Sequence, residues 1–243
     1  MDISVVINGY RRPNTIREQY EAILNQTIKP KEILFWQNHY PNTSFDSEVL
    51  SNCKSTISNT NFGVWSRFSY ALNCKSKYIC IFDDDTVPGE KWFENCLETL
   101  KTHNGLLGDR GIIFNSNDYW DHRNKGYSGR EIQNLEPVKV DIVGHAWFFE
   151  REWLAAYWSE LPPPDLTLAG EDMHFSYMLQ KRLGINTYVP PHPEDRSYWG
   201  SIKGSELGGD SNATSGNPES QRQMAFYLNH IVSKGFKLIK DYE

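Results

Sequence analysis

No apolar run in this 243-residue chain approaches the ~18–20 residues needed to span a bilayer, so no transmembrane segment is expected. There is no basic block either. Its 25 Lys and Arg against 31 Asp and Glu leave a net charge of −6, which argues against a nucleic-acid partner. Cys53, Cys74, Cys80 and Cys96 show no C-x-x-C spacing, and a chain this long builds a core without disulfide staples. They read as reduced thiols, which favours a cytoplasmic protein, or a catalytic domain cut from a longer one. The first apolar run begins at Ile3, so no signal peptide is expected. Internal repeats are absent. Only the C-terminal Lys234-Gly235-Phe236-Lys237 leaves peripheral membrane contact open.

What is present is one dominant stretch, Tyr78-Ile79-Cys80-Ile81-Phe82-Asp83-Asp84-Asp85-Thr86-Val87-Pro88. Five mostly apolar residues predict a buried strand, and three carboxylates follow at its end. Side chains alternate along an extended chain, so Asp83 and Asp85 should point one way and Asp84 the other. Adjacent carboxylates repel, and a divalent cation with hard oxygen ligands relieves that repulsion. The bland alternative is a solvated acidic turn helped by Pro88-Gly89, which so apolar a strand disfavours.

Around this stretch the pattern alternates. Strands are expected at Ile3–Ile7, Lys31–Asn38 and Ser55–Ser58, with helices from Pro13 to about Gln26 and from Gly63 to Leu72. That order predicts a mostly parallel α/β sheet. Beyond it come a helix from Gly89 to about Thr102, a strand at Gly111–Phe114 and a long loop over 115–136. Two strands are expected at Val138–Val143 and His145–Phe149, then helices at Glu152–Trp158 and through Arg182, and a strand at Ile185–Val189. The Gly-, Ser- and Asn-rich run from Tyr198 to Pro218 reads as a mobile lid, and Gln221 to about Lys234 as a closing helix.

In a parallel sheet the loop after the first strand (Asn8–Arg12), the Asn61–Arg67 turn and Asp83–Asp85 share one edge. In open α/β sheets that edge is where ligands bind. Polar groups and a cation there suit a nucleotide, with Arg67 placed to meet a phosphate; a salt-bridged Arg is the plain alternative.

The strand followed by Asp-Asp-Asp-Thr resembles the D-x-D element of GT-A glycosyltransferases. Asn-Gly-Tyr-x-Arg after the opening strand, Asn61-x-Gly63-x-x-x-Arg67, Gly144-His145-Ala146 and Gly170-Glu171-Asp172 follow the order of family 2-like transferases. Asp83-Asp84-Asp85-Thr86 is also similar to the C-terminal domain of exostosin-type transferases. The resemblance covers roughly residues 3–190. It implies a single GT-A-like α/β domain over 1–243, with a mixed, mostly parallel sheet flanked by helices. About 1–114 would bind nucleotide and metal, and about 115–243 would hold the acceptor, the base, the lid and the last helix.

The resemblance also implies roles. Asp83 and Asp84 join Asn8, Tyr10, Arg11, Asn38, Asn61 and Arg67 on the nucleotide-sugar donor, expected to be a UDP-sugar. Asp85 and His192 would ligate Mn²⁺ or Mg²⁺. Gly144, His145 and Trp147 would line the site of a glycan or glycoconjugate acceptor, although Trp147 pointing inward would be core. Asp172, with Glu171 beside it, would be the general base; the plain reading of that pair is an acidic helix start favoured by the macrodipole. The Glu171-Asp172 pair favours inversion of the anomeric centre, while the exostosin-like triplet belongs to a retaining group. A sugar-nucleotide nucleotidyltransferase is the enzyme alternative, though a single glycine after the first strand counts against it. An inactive carbohydrate-binding protein is the other, against which stand the intact Asp83, Asp85 and Asp172.

Overall fold

A computed structural model describes residues 2–126, 134–207, 213 and 216–242. Strands β1 (Ile3–Gly9), β2 (Glu32–Gln37), β3 (Lys54–Ile57) and β4 (Tyr78–Phe82) alternate with helices α1 (Ile16–Leu24), α2 (Ser47–Asn52) and α3 (Ser66–Tyr70). Helix α4 (Trp92–Leu100) leads to β5 (Gly105–Leu107), β6 (Arg110–Phe114), β7 (His122–Gly126), β8 (Val138–Val140), β9 (Ile142–Gly144) and β10 (Trp147–Glu150). Helices α5 (Leu154–Tyr157) and α6 (Glu171–Leu183), strand β11 (Asn186–Val189), and helices α7 (Gly204–Leu207) and α8 (Pro218–Ser233) complete the described elements.

The main sheet has the order β3-β2-β1-β4-β10-β5-β11-β8. β1, β2, β3 and β4 are parallel, β10 runs against β4 and β5, and β11 is parallel to β5. The mostly parallel sheet expected from the sequence is therefore present. The chain leaves β1 towards β2 on one side and returns to β4 on the other, so the loops after β1 and β4 diverge and open a crevice at their carboxyl ends.

Strands β1 and β4 read as near-continuous apolar runs because both of their faces are covered, whereas the edge strand β3 is largely polar and exposed. Ile3, Val5 and Ile7 of β1 and Cys80 and Phe82 of β4 pack in one cluster with Phe93 of α4 and Ile23 of α1. Val6, Ile79 and Ile81 point the other way, into a cluster with Phe68, Tyr157, Phe175 and Tyr227.

The middle of the chain departs from expectation. The loop foreseen over 115–136 contains β7, which pairs antiparallel with β6; residues 127–133 lie outside the described residues. The strand expected over Val138–Val143 is two strands in two sheets: β8 pairs with β11, and β9 pairs with β6 in a small sheet ordered β7-β6-β9. Asp141 sits at the switch. Its carboxylate accepts from Phe114 N at 2.8 Å and Ile239 N at 2.7 Å, satisfying backbone donors that no strand partner reaches. Burial pushes that carboxyl up to about 6. Helix α6 starts at Glu171, where Gly170 takes φ 104°, and stops at Gly184, φ 65°, as a left-handed glycine stop requires. Part of the expected lid, at 208–212 and 214–215, also lies outside the described residues.

Candidate active site

The acidic turn is braced from beneath. Gln19 of α1, 1% exposed, donates to the carbonyls of Asp83 and Thr86, and Thr15 Oγ1 donates to the carbonyl of Asp84. Asp84 turns towards the loop after β1 and accepts from Tyr10 N (3.1 Å), Arg11 N (3.0 Å) and Arg12 Nη1 (2.8 Å). Its carboxylate is thus occupied in shaping that loop, which corrects the donor-binding role expected for it. Asp83 and Asp85 face the crevice, as strand alternation foresaw.

Arg67 is 5% exposed, with its guanidinium 4.8 Å from the Trp147 ring. It donates through Nη1 to Asp83 and through Nη2 to Glu171. The Arg expected to receive a phosphate therefore bridges two carboxylates, one from each end of the site. A buried guanidinium requires such partners, because leaving it uncompensated in a low-dielectric interior is costly.

His145 arrives from the tight turn between β9 and β10. His145 and Ala146 have φ 51° and 49°, two consecutive non-glycine residues in the left-handed region. Such strain persists only where surrounding structure enforces it. The turn sets His145 Nδ1 3.6 Å from Asp85 Oδ1, while Arg12 Nη1 lies 3.4 Å from Asp85 Oδ2. Burial alone would raise the Asp85 carboxyl, but the neighbouring His145 ring and Arg12 guanidinium hold it down at about 2. Asp83, Asp85 and His145 each offer one ligand atom, all within 4.8 Å of one another. Two carboxylates and one imidazole, with Asp85 firmly ionised, form a donor set that fits a divalent cation accepting mixed oxygen and nitrogen ligands.

His192 lies outside this group. Its Nδ1 is 2.8 Å from the Pro190 carbonyl oxygen and its Nε2 2.9 Å from Asp109 Oδ1, so both ring nitrogens are engaged and the metal role expected for it is corrected. Trp147 is 2% exposed and donates Nε1 to Val143 O at 2.8 Å. It belongs to the core under Arg67 and does not line an acceptor pocket. Gly144 ends β9 and leads into the His145 turn.

At the ends of β1 and β2 the polar residues converge as expected. Asn38 Nδ2 donates to Asn61 Oδ1 at 2.7 Å, Asn61 Nδ2 donates to the Tyr10 hydroxyl at 2.9 Å, and Asn38 Oδ1 accepts from Phe62 N at 2.9 Å. The Arg11 guanidinium lies 4.8 Å from both the Tyr10 and Tyr40 rings. Asn8, opposite Trp36 in the β1–β2 register, is partly buried beside them. Tyr40 carried no signal in the sequence. Arg12 did: it is the Arg of Asn-Gly-Tyr-x-Arg, and it holds the acidic turn while Arg11 faces the rings.

Asp172 is partly exposed at the first turn of α6, and its Oδ1 accepts from Met173 N at 2.7 Å. Burial and the neighbouring Glu171 charge push its carboxyl up to about 7. Burial, with the Asp172 and Glu171 charges nearby, also pushes the Tyr119 phenol up. Sequence reasoning did not mark Tyr119, because nothing in its local pattern separates it from core.

The profile of glycosyl transferase family 2 matches residues 4–158, more than half of the chain. No curated protein matches. Among solved structures, S. aureus TarS 1-349 in complex with UDP-GlcNAc superposes with a TM-score of 0.58 at 13% identity, over 100% of this chain and 69% of that one. TarS 1-349 in complex with UDP gives 0.52 at 14% identity, over 78% and 60%. A longer TarS structure gives 0.54 at 15%, over 79% of this chain and 37% of its own. The present chain thus corresponds to about a third to two-thirds of those proteins, and the likeness is one of fold.

Proposed function

The chain belongs to glycosyl transferase family 2 and has the GT-A fold, and from this premise we propose that it moves a sugar from a UDP-sugar to a hydroxyl of a glycan or glycoconjugate, with inversion. The observation that carries this reading is the Arg67 guanidinium, which ties Asp83 of the acidic turn to Glu171 at the start of α6 and so brings the Asp83–Asp85 and Glu171–Asp172 pairs together. Their environments then differ, with Asp85 held down at about 2 and Asp172 pushed up to about 7. Such a split separates an anion that stays charged from a group poised to take a proton near neutral pH.

In this reading Tyr10, Arg11, Asn38 and Asn61 hold the uracil and ribose side of the donor at the ends of β1 and β2. The TarS structures with UDP and UDP-GlcNAc support that donor class. Asp83, Asp85 and His145 would hold Mn²⁺ or Mg²⁺, which when bound offsets the charge of the departing diphosphate. Asp172 takes the proton of the acceptor hydroxyl as that oxygen attacks the anomeric carbon from the side opposite the diphosphate. The bond to the donor phosphate oxygen breaks and UDP leaves. Residues 1–114 supply most of the donor side and 115–243 the base, with His145 crossing between them. The four free cysteines suit a reducing, cytoplasmic setting; among the described residues no helix is long and apolar enough to cross a membrane.

The test is a thermal-shift screen of nucleotides and sugar nucleotides with and without Mn²⁺. A ligand at 100 times its Kd stabilises the folded state by about 2.7 kcal/mol. A Mn²⁺-dependent shift with UDP or one UDP-sugar is expected. A shift with GDP-sugars alone would change the donor, and no shift with any nucleotide would overturn the reading.

A further inference from the structure

Asp109 follows β5, is 0% exposed, and is not itself one of the residues placed on donor, metal or acceptor. Its contacts nevertheless converge on the site. Asp109 N donates to the carbonyl of His145 at 3.1 Å, the peptide of the strained turn. Asp109 Oδ1 faces His192 Nε2 at 2.9 Å and accepts from Gly200 N at 2.6 Å. Gly200 is pressed between the two: a Cβ there would come within 2.8 Å of the Asp109 Cβ and 2.9 Å of the Ala146 Cβ. The segment carrying Gly200 runs along the chain just past the acidic turn, with Gly89 N donating to Trp199 O, Lys91 N to Ser197 O and Ile202 N to Val87 O, each at 2.8 Å. His192 is anchored in turn, its own N donating to Asn134 O at 2.6 Å.

We infer that Asp109 and His192 form a positioning pair. They hold the His145–Ala146 turn and the 197–202 segment against the acidic turn, and so set where the His145 ring stands relative to Asp83 and Asp85. The inference rests on the metal reading given above, but its physical content is the position of His145, which can be read without metal. Removing His192 leaves a buried carboxylate facing no donor ring, and Asp109 must shift or admit water. The His145 carbonyl accepts from Asp109 N, so a shift of Asp109 is passed directly to the left-handed turn. Outer-shell partners of this kind typically alter metal affinity ~10–100-fold when removed.

The experiment compares wild type with His192→Leu, His192→Gln and Gly200→Ala. The first deletes the polar partner, the second returns an N–H near the Nε2 position, and the third wedges the turn apart without removing a hydrogen-bond partner. Two readouts are taken: Mn²⁺ affinity by electron paramagnetic resonance of the free ion, and the His145 ring ¹⁵N and ¹H shifts in the metal-free protein, assigned by their loss in His145→Ala. The expectation is a ~10-fold weaker Mn²⁺ affinity and a moved His145 signal in His192→Leu and Gly200→Ala, with His192→Gln close to wild type. If His192→Leu does not fold, Gly200→Ala carries the test. A His145 signal unmoved in the folded variants, with only the melting temperature lowered, overturns the pair as a positioning device. A wild type that binds no Mn²⁺, yet whose His145 signal moves in the variants, retains the pair and removes the metal.

Discussion

Asp83 with Asp85 at the end of β4 and Glu171 with Asp172 at the start of α6 are both closely spaced acidic pairs, and both reach Arg67, yet their environments differ. Asp85 has the His145 ring and the Arg12 guanidinium beside it, which together outweigh burial. Asp172 has burial and the Glu171 charge, which Arg67 and the Met173 N–H offset only in part. Each site holds two carboxylates. What differs is what the fold delivers to them, the Arg12 guanidinium and the His145 ring from separate loops to Asp85, and one shared Arg to the pair at α6. Like residues are thereby pushed in opposite directions, which is what the proposed division into a permanent anion and a base needs.

Arg67→Ala breaks the comparison at its centre. It leaves Asp83 and the buried Glu171 without their common cation and should cost about 3–5 kcal/mol of stability in urea unfolding. Because Arg67 lowers the Asp172 carboxyl, that group should also titrate higher in the variant. A variant as stable as wild type would mean that the bridge carries no weight. Asp172→Asn acts on one side only. Transfer turnover should fall about 10²–10⁴-fold with UDP affinity unchanged. Near-normal turnover would place the base elsewhere or make the mechanism retaining.

A pH series sharpens the contrast further. The ascending limb of kcat/KM should lie near 7, where Asp172 loses its proton, and Glu171→Gln, which removes the neighbouring charge, should move it to lower pH. Stability carries the opposite signs. Asp172, raised in the fold, binds a proton that the unfolded chain has released, so stability falls as pH rises from about 4 to about 7. Asp85, lowered in the fold, contributes stability above about 4 that is lost as pH falls towards 2. Asp172→Asn should weaken the first trend, leaving the part that Asp141 contributes between about 4 and about 6, and leave the second unchanged. The smallest effect is at the rim: Tyr10→Phe deletes the hydrogen bond from Asn61, worth about 1 kcal/mol, and should weaken UDP binding several-fold in a titration. An unchanged affinity would free that hydroxyl from the donor site.

Much of this arrangement is written locally. The apolar run before Asp83, the two-residue alternation of the triplet and the strand–helix order of the first eighty residues follow from backbone geometry and burial on both sheet faces, so β1, β2 and β4 and the crevice at their ends were legible in the chain. The Glu171-Asp172 pair was legible as an acidic helix start, but nothing local indicates that the Asp172 carboxyl is pushed up, since that depends on what covers it. Long-range choices lay beyond reach. His145 rather than His192 joins the acidic turn because of the β9–β10 turn and the Asp109 contact. Trp147 faces the core because β10 runs antiparallel to β4. Arg67 spans Asp83 and Glu171 across 104 residues of chain. Periodicity and motif are properties of neighbours along the chain, whereas pairing of charges, choice of metal-facing histidine and the protonation of a base are decided by groups brought together only when the sheet closes.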